Sequence, residues 1–189
     1  MTGLVTGIVL AGGLGRRMGS VDKGLQLLHG RTMLEHVLER FAPQVDAVIL
    51  NANRNLDTYA RFGKVVPDAV GGYAGPLAGL HAGMTVADTP LVATVPCDSP
   101  FLPTDLVARL RGALEAKGGQ LAVAKTGDQP HPVFVVARRD LLGNLAAFLE
   151  GGGRKIDAWY ASLAVAEVSF DDEEAAFRNI NTPEELKHA

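Results

Sequence analysis

The residues best suited to chemistry begin with a glycine-rich segment, 10–19, which follows a short apolar run. Glycines let the backbone turn through positive φ and bring N–H groups close to an anion. Arg16, Arg17 and, further on, Lys23 add fixed positive charges that match phosphate oxygens. The segment therefore predicts a loop that holds a polyphosphate. A glycine-rich turn with solvated arginines is the structural alternative.

Two well-known phosphate loops do not fit this segment. A P-loop requires lysine followed by serine or threonine, whereas Lys23 is followed by Gly24. A dinucleotide fingerprint that starts at Gly13 requires glycine where Met18 stands, and an acidic residue where Asn51 ends the second apolar run. The sequence therefore fits neither a P-loop nor a dinucleotide fingerprint. Because the dinucleotide fingerprint is missing, a nicotinamide-dependent oxidoreductase is excluded as well.

A carboxylate with restricted backbone follows a later apolar run. Asp98 lies three residues beyond the run 91–95, between Pro96 and Pro100. Mg²⁺ prefers oxygen ligands and often takes one or two carboxylates together with substrate phosphates. With the anion loop present, we predict that Asp98 binds Mg²⁺, for which Mn²⁺ can substitute. Capping of the following helix is the alternative.

Apolar runs alternate with amphipathic segments, and these elements must position the residues above. The runs that predict strands are 5–10, 45–50, 64–66, 91–95, 121–124, 133–137 and 165–170. A first helix is predicted after the capping residue Thr32, with Leu34, Val37, Leu38 and Phe41 on one face. The other segments that predict helices are 56–62, 76–86, 104–117, 141–149 and 155–162, followed by a short last helix after Thr182. Thr32 and Thr182 each begin a capping box.

This alternation predicts one α/β domain over residues 1–189, built as three layers with a mostly parallel twisted sheet between helices. In such sheets, ligands bind beyond the carboxyl ends of the strands. That rule selects the loops after Leu10, Leu50, Val66 and Val95. The glycine-rich loop and Asp98 both belong to this set.

Composition narrows the class of protein further. The chain has 47% apolar residues and a formal net charge of −3, which argues against a broad nucleic-acid or membrane-binding surface. The single cysteine, Cys97, excludes an intrachain disulfide framework and fits a reducing compartment. We expect a cytoplasmic protein in which Cys97 is an inert buried thiol.

Several segments together resemble a known family. Leu-Ala-Gly-Gly at 10–13, Arg-Met-Gly at 17–19 and Asp-Lys at 22–23 look like the signature loop of nucleotidyltransferases with a glycosyltransferase-A-like fold. Four more segments resemble one branch, the molybdenum cofactor guanylyltransferases: Asn-Ala-Asn-Arg at 51–54, Gly-Pro-Leu-Ala-Gly at 75–79, Pro-Cys-Asp-Ser-Pro at 96–100 and Asn-Ile-Asn-Thr-Pro-Glu-Glu-Leu at 179–186. The matches keep their order over nearly the whole chain.

The resemblance implies transfer of GMP from GTP to the phosphate of molybdopterin, with release of pyrophosphate. It implies a Rossmann-like fold of the nucleotide-diphospho-sugar transferase type, whose N-terminal part binds the nucleotide and whose C-terminal part binds the acceptor. It also implies transient contact with cofactor-insertion proteins and molybdoenzymes. The acceptor phosphate is already ionised, so we expect direct displacement without a covalent enzyme intermediate.

Roles for individual residues follow from the same resemblance. Arg17 and Lys23 would bind the β- and γ-phosphates and, with Asp98, form the catalytic set. Asn51 would contact the nucleotide, and Asp68 would accept from the N1 and N2 donors of guanine. Turn formation is the alternative for both residues, and it is the interpretation for Asn53 and Asn55. The nucleotide and acceptor residues as a set are Leu10, Ala11, Gly12, Gly13, Gly15, Lys23, Asn51, Asp68, Gly75, His131, Asn179 and Asn181.

The later members of that set concern the acceptor. His131 would donate to the acceptor phosphate, while Asn179 and Asn181 would bind the pterin or complete the metal site. Gly79 and Gly83 lie on the predicted helix 76–86, and we assign them to close packing.

Two other functions compete with this one. The first is another nucleotidyltransferase of the same fold, such as a cytidylyltransferase acting on molybdopterin or an enzyme that activates a sugar phosphate. The second is a nucleotide-binding partner without catalysis, which would keep Gly12, Arg17 and Lys23 but would not depend on Asp98.

Overall fold

The computed structural model describes residues 4–13, 21–71 and 75–189. Its strands are β1 (Val5–Leu10), β2 (Leu27–Leu28), β3 (Arg31–Thr32), β4 (Ala47–Asn51), β5 (Lys64–Val66), β6 (Leu91–Pro96), β7 (Leu121–Thr126), β8 (Gln129–Arg138) and β9 (Val165–Ser169). Its helices are α1 (Met33–Phe41), α2 (Leu56–Tyr59), α3 (Pro76–Val86), α4 (Leu106–Lys117), α5 (Leu142–Glu150), α6 (Ile156–Tyr160) and α7 (Pro183–His188). Within these ranges, no helix has the length and apolar character needed to cross a membrane.

A seven-stranded sheet in the order β5-β4-β1-β6-β8-β7-β9 forms the centre of the described structure. Strands β5, β4, β1 and β6 run parallel to one another, and β9 runs parallel to β7. Only β8 is antiparallel to its neighbours β6 and β7. The mostly parallel sheet predicted from the alternation of elements is confirmed.

Two apolar cores cover the two faces of this sheet. Ile8 and Val9 are consecutive, fully buried residues of β1, so they point to opposite faces. Val9 packs in a core with residues of α1 and α4, whereas Ile8 packs in a core with residues of α3 and α5. Helices therefore cover both faces, which confirms the three-layer architecture.

Helix α3 approaches β1 closely because Gly83 has no side chain. A Cβ built at Gly83 would lie 2.3 Å from Cδ1 of Ile8, far inside van der Waals contact. The predicted packing role of Gly83 is thereby confirmed. This close approach fixes the start of α3, at Pro76, relative to the end of β1.

Strand β8 is much longer than the predicted run 133–137, and its extra residues include Pro130 and Pro132. Proline cannot donate to a ladder, so it is tolerated only where one edge of a strand is free. The pairing of β8 with β6 stops at Val135. Before it, residues 129–131 pair with β7 alone, and the register with β7 shifts across residues 132–134. The prolines lie in this one-sided part, a detail that the apolar pattern did not reveal.

The helices predicted over 56–62 and 155–162 are shorter than expected, because each ends in a tight turn. After α2, the N–H of Phe62 donates to the carbonyl of Tyr59, three residues back. After α6, the N–H of Leu163 donates to Tyr160 in the same way. Such bonds close the last turn of a helix and stop its propagation. The small antiparallel pair β2–β3 was not predicted.

Candidate active site

An open cavity of about 1150 Å³ lies beyond the carboxyl ends of β1, β4, β5 and β6. The strands end side by side, since Leu10 pairs with Asn51 and with Pro96, and Asn51 pairs with Val66. The cavity is lined by Leu10, Ala11, Gly12, Gly13, Lys23, Asn51, Asn53, Arg54, Asp68, Ala69, Val70, Gly71, Gly75, Pro76, Pro96, Cys97, Asp98, Val133 and Asn181. The loops selected from the sequence therefore meet at one place.

One end of the cavity carries a charged cluster. The Nζ atom of Lys23 lies 3.2 Å from Oδ2 of Asp98 and donates to Oδ1 of Asn181 at 2.9 Å. The side chain of Asp98 is only 11% exposed, and that of Lys23 is 25% exposed. The ammonium group thus lies between two oxygen atoms of the type that a hard divalent cation prefers.

The donor set suits such a cation only together with substrate. In the described ranges, no three His, Cys, Asp or Glu side chains are grouped so that they could hold a metal ion. A carboxylate and an amide oxygen would leave most coordination positions to phosphate oxygens and water, which is the usual arrangement for Mg²⁺. In this structure the ammonium of Lys23 occupies the position between the two oxygens.

The C-terminal segment reaches this cluster through hydrogen bonds to the loop after β6. The N–H of Ile180 donates to the carbonyl of Asp98 at 2.8 Å, and the hydroxyl of Ser99 donates to the amide oxygen of Asn179. The capping box of Thr182 then begins α7 directly behind Asn181. These contacts place Asn181 at the charged end of the cavity, beside Lys23.

Lys23 itself is positioned by its neighbour Asp22. The buried Tyr59 hydroxyl donates to one carboxylate oxygen of Asp22, and the Asn55 amide donates to the other at 3.0 Å. Burial raises the pKa of Tyr59, so its hydroxyl stays protonated and available as a donor. A Cβ at Gly24 would lie 2.6 Å from this hydroxyl oxygen, so only glycine fits there without displacing it.

The other end of the cavity carries a carboxylate held by amides. Asn51, which is 3% exposed, donates from Nδ2 to Oδ1 of Asp68 at 2.8 Å. Asn53 donates from Nδ2 to Oδ2 of Asp68 at 3.0 Å and accepts the Asp68 backbone N–H at 2.8 Å. The sequence suggested that Asn51 and Asp68 both face the ligand, and both line the cavity.

The glycine-rich loop lines the cavity with Gly12 and Gly13, and Gly12 acts through the space that it leaves and not through positive φ. Gly12 and Gly13, its described glycines, do not have positive φ. A Cβ at Gly12 would lie 2.8 Å from Nδ2 of Asn53, so a side chain there would have to displace this amide. The N–H of Ala11 donates to the carbonyl of Asn51 within the sheet and is not available to a phosphate.

The comparisons with known proteins agree with this geometry. Residues 7–165 match the MobA-like NTP transferase domain family. A molybdenum cofactor guanylyltransferase of Cupriavidus taiwanensis is 54% identical, with 97% of this chain and 94% of the relative covered. One of Shewanella halifaxensis is 47% identical, with 98% and 93% covered.

The chain belongs to the MobA-like NTP transferase family.

A solved family structure supports the assignment. The molybdopterin-guanine dinucleotide biosynthesis protein A of Archaeoglobus fulgidus is 26% identical, with a TM-score of 0.78 over 97% of this chain and 95% of that one. The resemblance inferred from the motifs is therefore confirmed, as is the fold class.

Most residues assigned from the family motifs lie in the cavity. These are Leu10, Ala11, Gly12, Gly13, Lys23, Asn51, Asp68, Gly75, Asp98 and Asn181. Gly75, predicted to bind the nucleotide, has a φ of 60° and lies immediately before α3, where a residue with a Cβ would be strained. Arg17 and Gly15 lie outside the described residues, so their roles in the family motif stay predictions.

His131 and Asn179 are not among the residues that line the cavity. The His131 ring stacks on Phe177 with 4.5 Å between centroids, and its Nε2 lies 2.8 Å from the Thr126 hydroxyl. Burial lowers the pKa of His131, which disfavours the charged form that would best bind a phosphate. Asn179 instead connects the C-terminal segment to Ser99. Their assignments to the acceptor stay predictions of the family motif.

Sequence reasoning missed several residues that support the site. The sequence indicates turn roles for Asn53 and Asn55 and no role for Asp22 or Tyr59, although the contacts of these four residues hold Asp68 and Lys23. Arg54 lines the cavity, and its guanidinium donates to the carbonyl of Gly13 at 3.3 Å. The family segment at 51–54 contains Asn53 and Arg54, and this motif was the available signal.

Cys97 lines the cavity without the features of a nucleophile. It is 7% exposed, and burial raises the pKa of its thiol well above the ordinary range. A thiol with a raised pKa stays protonated at neutral pH and is a poor nucleophile. This environment agrees with the inert buried thiol expected from the sequence.

Proposed function

We propose that the protein transfers GMP from GTP to the phosphate of molybdopterin, which yields molybdopterin guanine dinucleotide and pyrophosphate. Family membership supports this reaction, since close relatives carry the name molybdenum cofactor guanylyltransferase. The observation that carries the proposal is one cavity with the charged cluster of Lys23, Asp98 and Asn181 at one end and an amide-held carboxylate at the other. Its volume, about 1150 Å³, is slightly larger than that of ordinary ligand pockets, which span about 300–1,000 Å³.

The amide-held carboxylate binds the base in this proposal. Asp68 offers two oxygens, and guanine presents two adjacent donors, N1–H and N2–H, on one edge. Adenine presents an acceptor at N1 and no donor at C2, so it would leave the carboxylate unpaired and repelled. Asn51 keeps Asp68 in place and lies at the same strand edge. This arrangement favours GTP over other triphosphates.

The charged cluster binds the phosphates. Lys23 moves its ammonium to the β- and γ-phosphates, and Arg17 of the glycine-rich loop adds a second charge. An oxygen of the acceptor phosphate attacks the α-phosphorus of GTP. The new phosphorus–oxygen bond forms as the bond to the β-phosphate breaks, and pyrophosphate leaves with both bonding electrons. The cations stabilise the departing charge without transferring a proton.

We further propose that Asp98, with Asn181 beside it, holds Mg²⁺ and that Mn²⁺ can replace it. The ion, when bound with the triphosphate, neutralises charge that develops around the α-phosphorus. The Lys23 ammonium between the two oxygens supports this assignment, because a cation is already favoured at that position. The hydrogen bond from Ile180 keeps Asp98 oriented toward the cavity.

The C-terminal part of the chain is proposed to bind the acceptor. Val133 of β8 and Asn181 contribute to the cavity from this part of the sequence. His131 and Asn179 would contact the acceptor only after a rearrangement that releases their present partners Thr126 and Ser99. We also propose a cytoplasmic location and transient contact with cofactor-insertion proteins and molybdoenzymes.

Incubation with GTP, Mg²⁺ and molybdopterin tests the proposal, with the product identified by mass. Pyrophosphate release with each of the four triphosphates separates a guanylyltransferase from a cytidylyltransferase or a sugar-phosphate enzyme. Asp98→Asn should lower turnover about a thousandfold with only a modest loss of GTP affinity. Asp88→Asn is the matched control, because Asp88 is exposed and precedes β6 at the opposite edge of the sheet.

Two results would contradict the proposal. Unchanged turnover in Asp98→Asn would remove the metal-binding role assigned to Asp98. A stable guanylylated protein after incubation with labelled GTP would contradict direct displacement.

A further inference from the structure

We infer that Asn53 is a positioning residue that holds the Asp68 carboxylate in the orientation needed to recognise guanine. The inference rests on the proposed function, in which Asp68 binds the base. Asn53 belongs to the family segment 51–54, and its residue type alone indicates only a turn role. Asn53 would act through Asp68 and would not itself react.

The amide of Asn53 engages Asp68 twice. Its Nδ2 donates to Oδ2 of the carboxylate at 3.0 Å, and its Oδ1 accepts the backbone N–H of Asp68 at 2.8 Å. Asn51 donates to the opposite carboxylate oxygen, Oδ1, at 2.8 Å. Both oxygens are therefore held by separate amides, which restrains rotation of the carboxylate about its side-chain bonds.

This arrangement leaves the carboxylate able to bind a base. An ionised carboxylate has about four acceptor sites, two on each oxygen. Asn51 and Asn53 each use one site, on different oxygens. One site on each oxygen remains, which matches the two parallel donors N1–H and N2–H of guanine. A carboxylate fixed in one plane selects this donor pair better than one that rotates to suit a single donor.

The glycine-rich loop is built around the same amide. A Cβ at Gly12 would lie 2.8 Å from Nδ2 of Asn53 and 3.3 Å from Oδ1 of Asn51. Gly12 does not have positive φ, so a side chain at this position would act by displacing these amides and not by straining the backbone. The loop that faces the phosphates thus also makes room for the residues that hold Asp68.

Equilibrium binding of GTP, ITP and ATP, measured by isothermal titration calorimetry, tests the inference. ITP lacks only the N2 amino group, and ATP lacks both donors. Asn53→Ala should weaken GTP binding about tenfold, ITP binding less, and ATP binding very little, so the preference for guanine shrinks. Asp57→Ala, an exposed change on α2 outside the cavity lining, should leave all three affinities unchanged.

Gly12→Ala supplies an independent test of the same contact. Alone it should displace the Asn53 amide and reduce the ratio of GTP to ITP affinity about as much as Asn53→Ala. In the Asn53→Ala background its further effect should be small, because the nearest atom to the new Cβ is gone. Additive losses would overturn the coupling between the two residues. Thermal unfolding of each variant shows which ones fold, and Asn53→Ser replaces Asn53→Ala if that variant does not.

Two outcomes overturn the inference. If Asn53→Ala weakens the three nucleotides equally, Asn53 only supports the loop. If the wild-type protein binds GTP no better than ITP, there is no discrimination for Asn53 to set. Failure of the proposed transfer is a separate outcome. A protein that prefers GTP over ITP but forms no dinucleotide would contradict the proposed reaction and leave the positioning role of Asn53 standing.

Discussion

Lys23→Met tests whether the Lys23 ammonium occupies a cation position between Asp98 and Asn181. Methionine keeps an unbranched apolar stem of similar length and removes only the charge and its donors. In the wild-type protein the ammonium lies 3.2 Å from the Asp98 carboxylate and 2.9 Å from the Asn181 amide oxygen. The variant leaves the Asp98 carboxylate, with its side chain 11% exposed, without its positive partner.

The expected loss of stability follows from this geometry. Two unit charges separated by 3.2 Å interact by about 1.3 kcal/mol in water and by about 5 kcal/mol at an effective dielectric constant of about 20. Lys23 is 25% exposed, and both groups lose hydration on folding, so much of that energy is offset. We expect the free energy of unfolding to fall by about 1–2 kcal/mol in urea. The exposed change Lys117→Met should cost less than about 0.5 kcal/mol.

The same variant should bind a divalent ion more readily in the absence of nucleotide. Because the ammonium no longer competes for the two oxygens, we expect Mn²⁺ affinity, measured by electron paramagnetic resonance, to rise about tenfold. GTP affinity and turnover should fall, since the phosphates lose a cation. Unchanged Mn²⁺ binding together with unchanged unfolding energy would refute the assignment of a cation position. Asp98→Asn in the same assay should weaken Mn²⁺ binding.

Three further predictions concern the supports of the site and of the fold. Tyr59→Phe removes the buried hydroxyl that donates to Asp22, so the free energy of unfolding should fall by about 1–2 kcal/mol. GTP should also bind several-fold more weakly when measured by calorimetry. If neither quantity changes, the anchoring of Lys23 through Asp22 is contradicted. Gly83→Ala should lower the free energy of unfolding in urea by about 1–3 kcal/mol, because the new Cβ meets the side chain of Ile8. The affinity for GTP should stay the same. A variant as stable as the wild-type protein would mean that α3 shifts freely. Burial holds the pKa of His131 below its usual value of about 6.5, so the unfolded chain binds more protons and stability should decrease as pH falls below about 6.5. His131→Gln should remove that part of the pH dependence between about pH 7 and pH 5, and an identical slope in both proteins would assign it to other groups.

Local chemistry in the sequence determined which elements form and where their ligand-binding ends lie. Apolar runs such as 5–10 and 91–95 predict buried strands, and the capping boxes at Thr32 and Thr182 are both present as expected. Because parallel strands place their carboxyl ends at one edge, the neighbourhood of Lys23, Asn51 and Asp98 also followed from the sequence. These inferences needed only short-range patterns and one topological rule.

Tertiary structure alone decided which side chains touch. Asn181 is 158 residues from Lys23, yet its amide oxygen accepts a hydrogen bond from the Lys23 ammonium. The two residues meet because Ile180 is hydrogen-bonded to the loop after β6. Asn53 resembles an ordinary turn residue until the fold places Asp68 beside it, and no local pattern encodes that contact. His131 lies between two prolines in the sequence, but the antiparallel pairing of β8 with β7 turns its ring onto Phe177. Residue types and their spacing set the chemistry available to the site, whereas the meeting of distant segments depends on packing over the whole sheet.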